Sequence, residues 1–163
     1  MGAEPIIFLC CVVAGTCAGK AVGAAITAKR LYFEELAALA RSISGDFRFR
    51  RTPVCELLRA EADSVKSDRL LKNVDEFVTY AESGGGELSL SGFGADSRDK
   101  RVVYEFFSSL GRYDADTQTR VLEGIAAKIA ERAESATLTE KKWAGLAVRL
   151  GFLSGACAGI LFL

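Results

Sequence analysis

The sequence contains no histidine and only two prolines, Pro5 and Pro53. The first absence removes the commonest general base and the commonest metal ligand. The second leaves long helices free to run, because proline is the residue that most sharply interrupts them. Cysteine is sparse and poorly spaced. Cys10, Cys11, Cys17, Cys55 and Cys157 are odd in number, form no CxxC pair, and four of them lie in the apolar ends of the chain. They read as small apolar residues in a reducing or lipid setting, not as a zinc site or disulfide framework. No metal and no cofactor is expected. Net charge is lacking too, with 21 basic residues against 21 acidic ones. Lysine and arginine mix with acids along every predicted helix, so no basic stripe forms and no nucleic-acid partner is expected.

The even balance hides a segregation. Nearly all the charge lies between Lys29 and Lys142. From Ile6 to Ala28 the chain is apolar or small apart from Thr16, Lys20 and Thr27, and from Trp143 to Leu163 the only charge is Arg149. Each stretch is about long enough to cross a bilayer as a helix. Residues 5–28 and 143–163 are therefore predicted as transmembrane helices, and residues 29–142 as the domain between them. Lys20 and Arg149 each sit at the domain-facing end of an apolar run, where a basic side chain can snorkel to the headgroups. Lys29 and Arg30 close the first segment, and Lys141 and Lys142 open the second. Basic flanks stay on the cytoplasmic side, which predicts a cytoplasmic domain with both termini outside. A signal peptide is the competing reading of the first segment, but it lacks a basic region before its apolar run.

Glycine recurs at four-residue intervals in both apolar segments: Gly15, Gly19 and Gly23, then Gly151, Gly155 and Gly159. That spacing stacks the glycines on one helix face and lets a second backbone approach. The faces are predicted to pair, within the hairpin or between copies. A small pore built from such hairpins is an alternative, although neither segment carries a polar stripe to line a wet lumen.

One stretch imitates a nucleotide site. Ala14–Lys20 reads A-G-T-C-A-G-K after an apolar run, which a relaxed phosphate-loop pattern would accept. The pattern then requires Ser or Thr for magnesium, and the next residue is Ala21. Alternating strands and helices should follow, and the sequence does not supply them. A degenerate nucleotide-binding enzyme is thus a second alternative, and the chain is expected not to be an enzyme.

The middle of the chain predicts an all-α bundle. Tyr32, Leu36, Leu39, Ile43 and Phe47 recur at helical spacing on a helix continuing from the first apolar segment, with Gly45–Asp46 as a place where it can loosen. Thr52 is expected to cap a second helix from Val54 to about Ala62, with Pro53 in its first turn and Leu57 and Leu58 buried. Ser67 or Asp68 caps a third helix with Leu70, Leu71, Val74, Phe77, Val78 and Ala81 inside. Ser83–Gly86 reads as a flexible turn, and Glu87–Gly94 as loop. Asp96 or Ser97 caps a fourth helix bearing Val102, Val103, Phe106, Phe107 and Leu110, and Gly111 ends it. Asp114 or Asp116 caps a fifth, with Val121, Leu122, Ile125 and Ile129 inside. Nothing stops that helix before Glu140, so it can run on into the last apolar segment. The acidic pairs Glu34–Glu35 and Asp75–Glu76 are expected on solvated faces.

Three local patterns give this order a family resemblance. The first is Asp46-Phe47-Arg48-Phe49-Arg50-Arg51-Thr52-Pro53-Val54. The second, and most specific, is Leu110-Gly111-Arg112-Tyr113-Asp114 followed by Gln118. The third is Arg149-Leu150-Gly151-Phe152-Leu153-Ser154-Gly155. With these the chain resembles stage III sporulation protein AB of endospore-forming bacteria over essentially its whole length. Tyr113 departs from the small hydroxyl residue usual before the Asp, and Leu88–Gly94 has no clear counterpart. The resemblance implies a subunit of the multiprotein channel complex between mother cell and forespore, held in the mother-cell membrane. It also implies a helical domain similar to the cytoplasmic domains of the platform protein of type II secretion and type IV pilus systems. By that analogy the domain docks on the complex's secretion-type ATPase, stage III sporulation protein AA. Thr52, Pro53, Leu110, Gly111, Asp114 and Gln118 are then family-motif residues that serve structure first and docking second. A homo-oligomer is compatible with the same picture.

Overall fold

A computed structural model of the chain describes residues 4–49, 53–85, 88–90 and 96–161. Among them the regular structure is all α: α1 (Glu4–Phe49), α2 (Val54–Ala62), α3 (Asp68–Glu82), α4 (Ser97–Ser109) and α5 (Ala115–Leu161). Helices α1 and α5 run for 46 and 47 residues. Both are long and apolar enough to cross a membrane, and only 11% of the most apolar window of each is buried by the rest of the chain. A core helix of a soluble protein would be mostly covered, so the exposed apolar surface suggests a membrane location.

The chain divides into two compact units. One combines the residues up to Arg30 with those from Ser135 onward; the other is Leu31–Glu134. In the second unit α1 contributes Tyr32, Phe33, Leu36, Ala40 and Ile43 to the core, all fully buried. Helix α3 adds Leu70, Val74, Phe77 and Val78, helix α4 adds Val102, Val103, Phe106 and Phe107, and α5 adds Leu122, Ile125 and Ile129. Phe107 sits between two other rings, 5.1 Å from Phe106 edge to face and 5.7 Å from Phe77. Each large apolar side chain buried in this way contributes about 1.5–3 kcal/mol.

The helix ends have local causes. Asp96 caps α4 by accepting the Arg98 amide at 3.0 Å. Helix α3 stops where Gly84 and Gly85 take φ of +77° and +110°, and the Gly85 amide turns back to the Tyr80 carbonyl. Only glycine adopts such angles without strain. Ser83–Gly85 is therefore a built helix stop as well as a turn.

Several sequence expectations are corrected. Pro53 is the cap position of α2, one residue before the first helical one, and its carbonyl accepts the Glu56 and Leu57 amides. Thr52 and the side chain of Phe47 lie outside the described residues, as do Gly86, Glu87 and residues 91–95. Gly45–Asp46 does not loosen α1, which continues to Phe49. Leu71 and Val121 are half-buried and Ala81 is exposed, because each lies at the edge of its helix's inner face. Glu35 is not simply solvated. Its carboxylate accepts the Lys66 amide at 3.0 Å and the Ser67 amide at 2.8 Å, tying the start of α3 to α1.

Candidate functional site

In the apolar unit the glycine faces of α1 and α5 meet, closely at four of the six periodic positions. A Cβ on Gly15 would collide with the Gly151 carbonyl oxygen and lie 2.8 Å from the Gly155 Cα. On Gly19 it would lie 2.6 Å from the Ala147 carbonyl oxygen, and on Gly155 2.6 Å from that of Cys11. On Gly151 it would meet the Gly15 carbonyl oxygen. These are backbone contacts, which cannot yield as a side chain can. The two outer positions differ. At Gly159 the neighbour is the Phe8 ring, and at Gly23 the Ala144 carbonyl oxygen is 3.4 Å away, an ordinary contact. Helices α1 and α5 thus touch backbone to backbone at Gly15, Gly19, Gly151 and Gly155, and leave no lumen between them there.

The basic residues near these segments fare unequally. Arg30 pairs with Glu140, with its Nε 2.5 Å from the carboxylate. The Lys142 ammonium lies 5.4 Å from the centre of the Trp143 ring, within cation–π range. Lys20, Lys141 and Arg149 are exposed, and Lys29 is half-buried. Ala14–Lys20 lies inside α1. Its amides are consumed by the i→i−4 helix bonds, so they cannot form the loop cradle that a phosphate needs.

The second constellation is the corner between α4 and α5. Leu110 is buried and Gly111 takes φ +72°, which turns the chain out of α4. Asp114 opens α5: its backbone carbonyl accepts the Gln118 amide at 2.7 Å, and its carboxylate accepts the Thr117 amide at 3.4 Å. The Thr117 hydroxyl and then the Thr117 amide hold the exposed Asp114 carboxyl below its ordinary pKa, because both bonds favour the ionised form. Gln118 is 1% exposed. Its side-chain amide donates to the Ser109 carbonyl at 2.9 Å, and its side-chain oxygen accepts the Tyr113 amide at 3.3 Å. One glutamine thereby joins the end of α4 to the start of α5. Tyr113 supplies only its backbone here, which is why the departure from a small hydroxyl is accommodated; the residue is 47% exposed.

Beside this corner is a cleft of about 370 Å³ whose walls include Phe77, Tyr80, Tyr104, Phe107 and Arg112. The exposed Tyr104 and Arg112 give its rim the composition that dominates protein interfaces. Sequence reasoning missed this cleft, because its walls come from two helices, α3 and α4, together with Leu88 and the corner itself. It also missed the buried pair of Tyr32 and Asn73, in which the Asn73 amide donates to the Tyr32 hydroxyl at 2.8 Å. A signal existed for that pair: Asn73 lies three residues after Leu70 and four before Phe77, on the inner face of α3. Among the described residues no group of three His, Cys, Asp or Glu could hold a metal ion.

The family model described as stage III sporulation protein AB matches residues 5–163. No curated protein and no solved structure matches the chain. The family match takes in both apolar segments, all five helices and the corner, and the chain belongs to the stage III sporulation protein AB family.

Proposed function

We propose that this chain is a membrane-anchored platform subunit of the mother cell–forespore channel complex, and that its helical unit docks the secretion-type ATPase of that complex, stage III sporulation protein AA. Family membership gives the chain a role in sporulation. The observation that carries the finer reading is the extent of the match, which joins two apolar segments and a helical unit in one family architecture. Residues 5–28 and 143–163 then lie in the mother-cell membrane, residues 29–142 face the cytoplasm, and both termini are outside. Basic flanks at Lys29, Arg30, Lys141 and Lys142 favour that orientation. The six glycines serve the packing of the two spans, and Lys20 and Arg149 mark the interface.

Docking is assigned to the corner and its cleft. Tyrosine and arginine on a rim give large contact area and directed hydrogen bonds. The test is co-elution of the detergent-solubilised full chain with the ATPase. Wild type should bind, and Tyr104→Ala and Arg112→Glu should each weaken binding about tenfold or more, as truncated hot spots do. Neither variant should change helix content, since both side chains are exposed. Failure of the wild-type chain to bind the ATPase would remove the docking reading. In the cell, deletion should arrest development after engulfment, and normal spores would refute the sporulation-channel assignment.

A further inference from the structure

A groove of about 480 Å³ lies within the helical unit, with Arg41, Ser44 and Gly45 of α1 on one wall and Glu123, Ala127 and Ala130 of α5 on the other. Three features of it have no use inside the chain. First, Gly45 in the groove is an interior helix glycine at which a Cβ would meet nothing within 4 Å. It costs its helix about 1 kcal/mol relative to alanine. Gly15 and Gly19 return that cost through a backbone contact, but Gly45 has none in the chain. Second, Ser44 is 7% exposed, and its hydroxyl has no hydrogen-bond partner among the described residues. Third, Arg41 and Glu123 are exposed and neither has a charged partner among the described residues.

We propose that this groove is a self-association face whose occupant is a second copy of the chain. The charge pattern selects the partner and the geometry. In a two-fold contact the same surface appears twice, so residue i meets j and j meets i. An axis running along the helices lays α1 of one copy over α5 of the other, and Arg41 then meets Glu123 twice. An axis across the helices would lay α1 on α1 and set Arg41 against Arg41. The opposite charges on the two walls therefore make the face complementary to itself in one arrangement only. In that arrangement the missing side chain at Gly45 admits the facing backbone, and the Ser44 hydroxyl gains a surface to bond.

The test uses the full chain in detergent, with self-association followed by sedimentation over a concentration series. Arg41→Glu alone places glutamate against glutamate twice, and Glu123→Arg alone places arginine against arginine twice. Each should weaken self-association about tenfold or more, the size of effect that close interfacial charge pairs show. An equimolar mixture of the two variants should recover it, because both contacts become complementary again. Gly45→Leu should weaken association while leaving the melting temperature unchanged or higher, since a side chain there meets nothing in the chain, which separates the face from the fold. A wild-type chain that stays monomeric throughout, single reversals without effect, or a mixture no better than its components would each overturn the proposal. The ATPase co-elution test reads a different face, so the two proposals fail independently.

Discussion

Gln118→Leu removes the bridge between α4 and α5 while nearly preserving side-chain volume. Two hydrogen bonds disappear, to the Ser109 carbonyl and from the Tyr113 amide. The loss is moderated at both ends. The Ser109 carbonyl keeps the Arg112 amide at 3.4 Å, and Tyr113 is exposed enough for water to reach its backbone. Each bond is then worth its ordinary net contribution of about 1 kcal/mol, giving a total of about 2 kcal/mol. In a unit of roughly a hundred residues that lowers the melting temperature by about 10 °C. The assay is thermal unfolding of the full chain in detergent, followed by near-ultraviolet circular dichroism of the tyrosines. Gln118→Glu supplies the control. It keeps an acceptor for Tyr113 but places a carboxylate against the Ser109 carbonyl in a buried site, so near neutral pH it should destabilise more than leucine does. Burial raises the pKa of the new carboxyl in the folded state, so that deficit should shrink as pH falls and the carboxyl regains a proton to donate. A leucine variant that melts within about 3 °C of wild type would refute the reasoning, because the bonds would then contribute less than about 0.5 kcal/mol.

Three further outcomes are expected. Gly15→Val or Gly151→Val forces the backbones of α1 and α5 apart, and energy transfer between dyes on the two apolar segments should fall; unchanged transfer would show that the contact is not retained in a bilayer. Tyr32→Phe removes one partner of the fully buried Asn73 and should destabilise by about 1–2 kcal/mol in the same melting assay. The Asp114 carboxyl, held below its ordinary pKa by Thr117, contributes stability that is fully present above the unfolded-state value of about 4 and is lost as pH falls through the lower folded value. Asp114→Asn should flatten the melting curve's pH dependence in that acid window, and an unchanged profile would show that the cap does not titrate with folding.

The parts of the fold that were legible share a physical basis. The inner faces of α2 and α4, most of that of α3, and the stop at Gly111 follow from 3.6-residue periodicity and from the angles only glycine tolerates. Asp96 and Asp114 were readable as caps for the same local reason. The boundary at Pro53 was one residue off because a proline without an amide fits both the cap and the first turn. Glu35 was misread because its partners, the Lys66 and Ser67 amides, lie 31 and 32 residues away in sequence. The role of Gln118 was visible only through the family resemblance. Nothing in a single glutamine announces that it will meet a carbonyl nine residues back across a turn. The groove at Arg41 and Glu123 was illegible for the same reason, since it exists only once α1 and α5 lie side by side.

The helical unit is one unbroken stretch of chain, Leu31–Glu134. Every partner it needs has been synthesised once Glu134 leaves the ribosome, so it can finish folding while the rest is still being made. The glycine contact has no such advantage, for 132 residues separate Gly19 from Gly151. At translation rates of about 5–20 residues per second, the first apolar segment waits on the order of ten seconds for its own counterpart. During that interval its glycine face is without its counterpart, and the pair closes only after the whole helical unit has been synthesised.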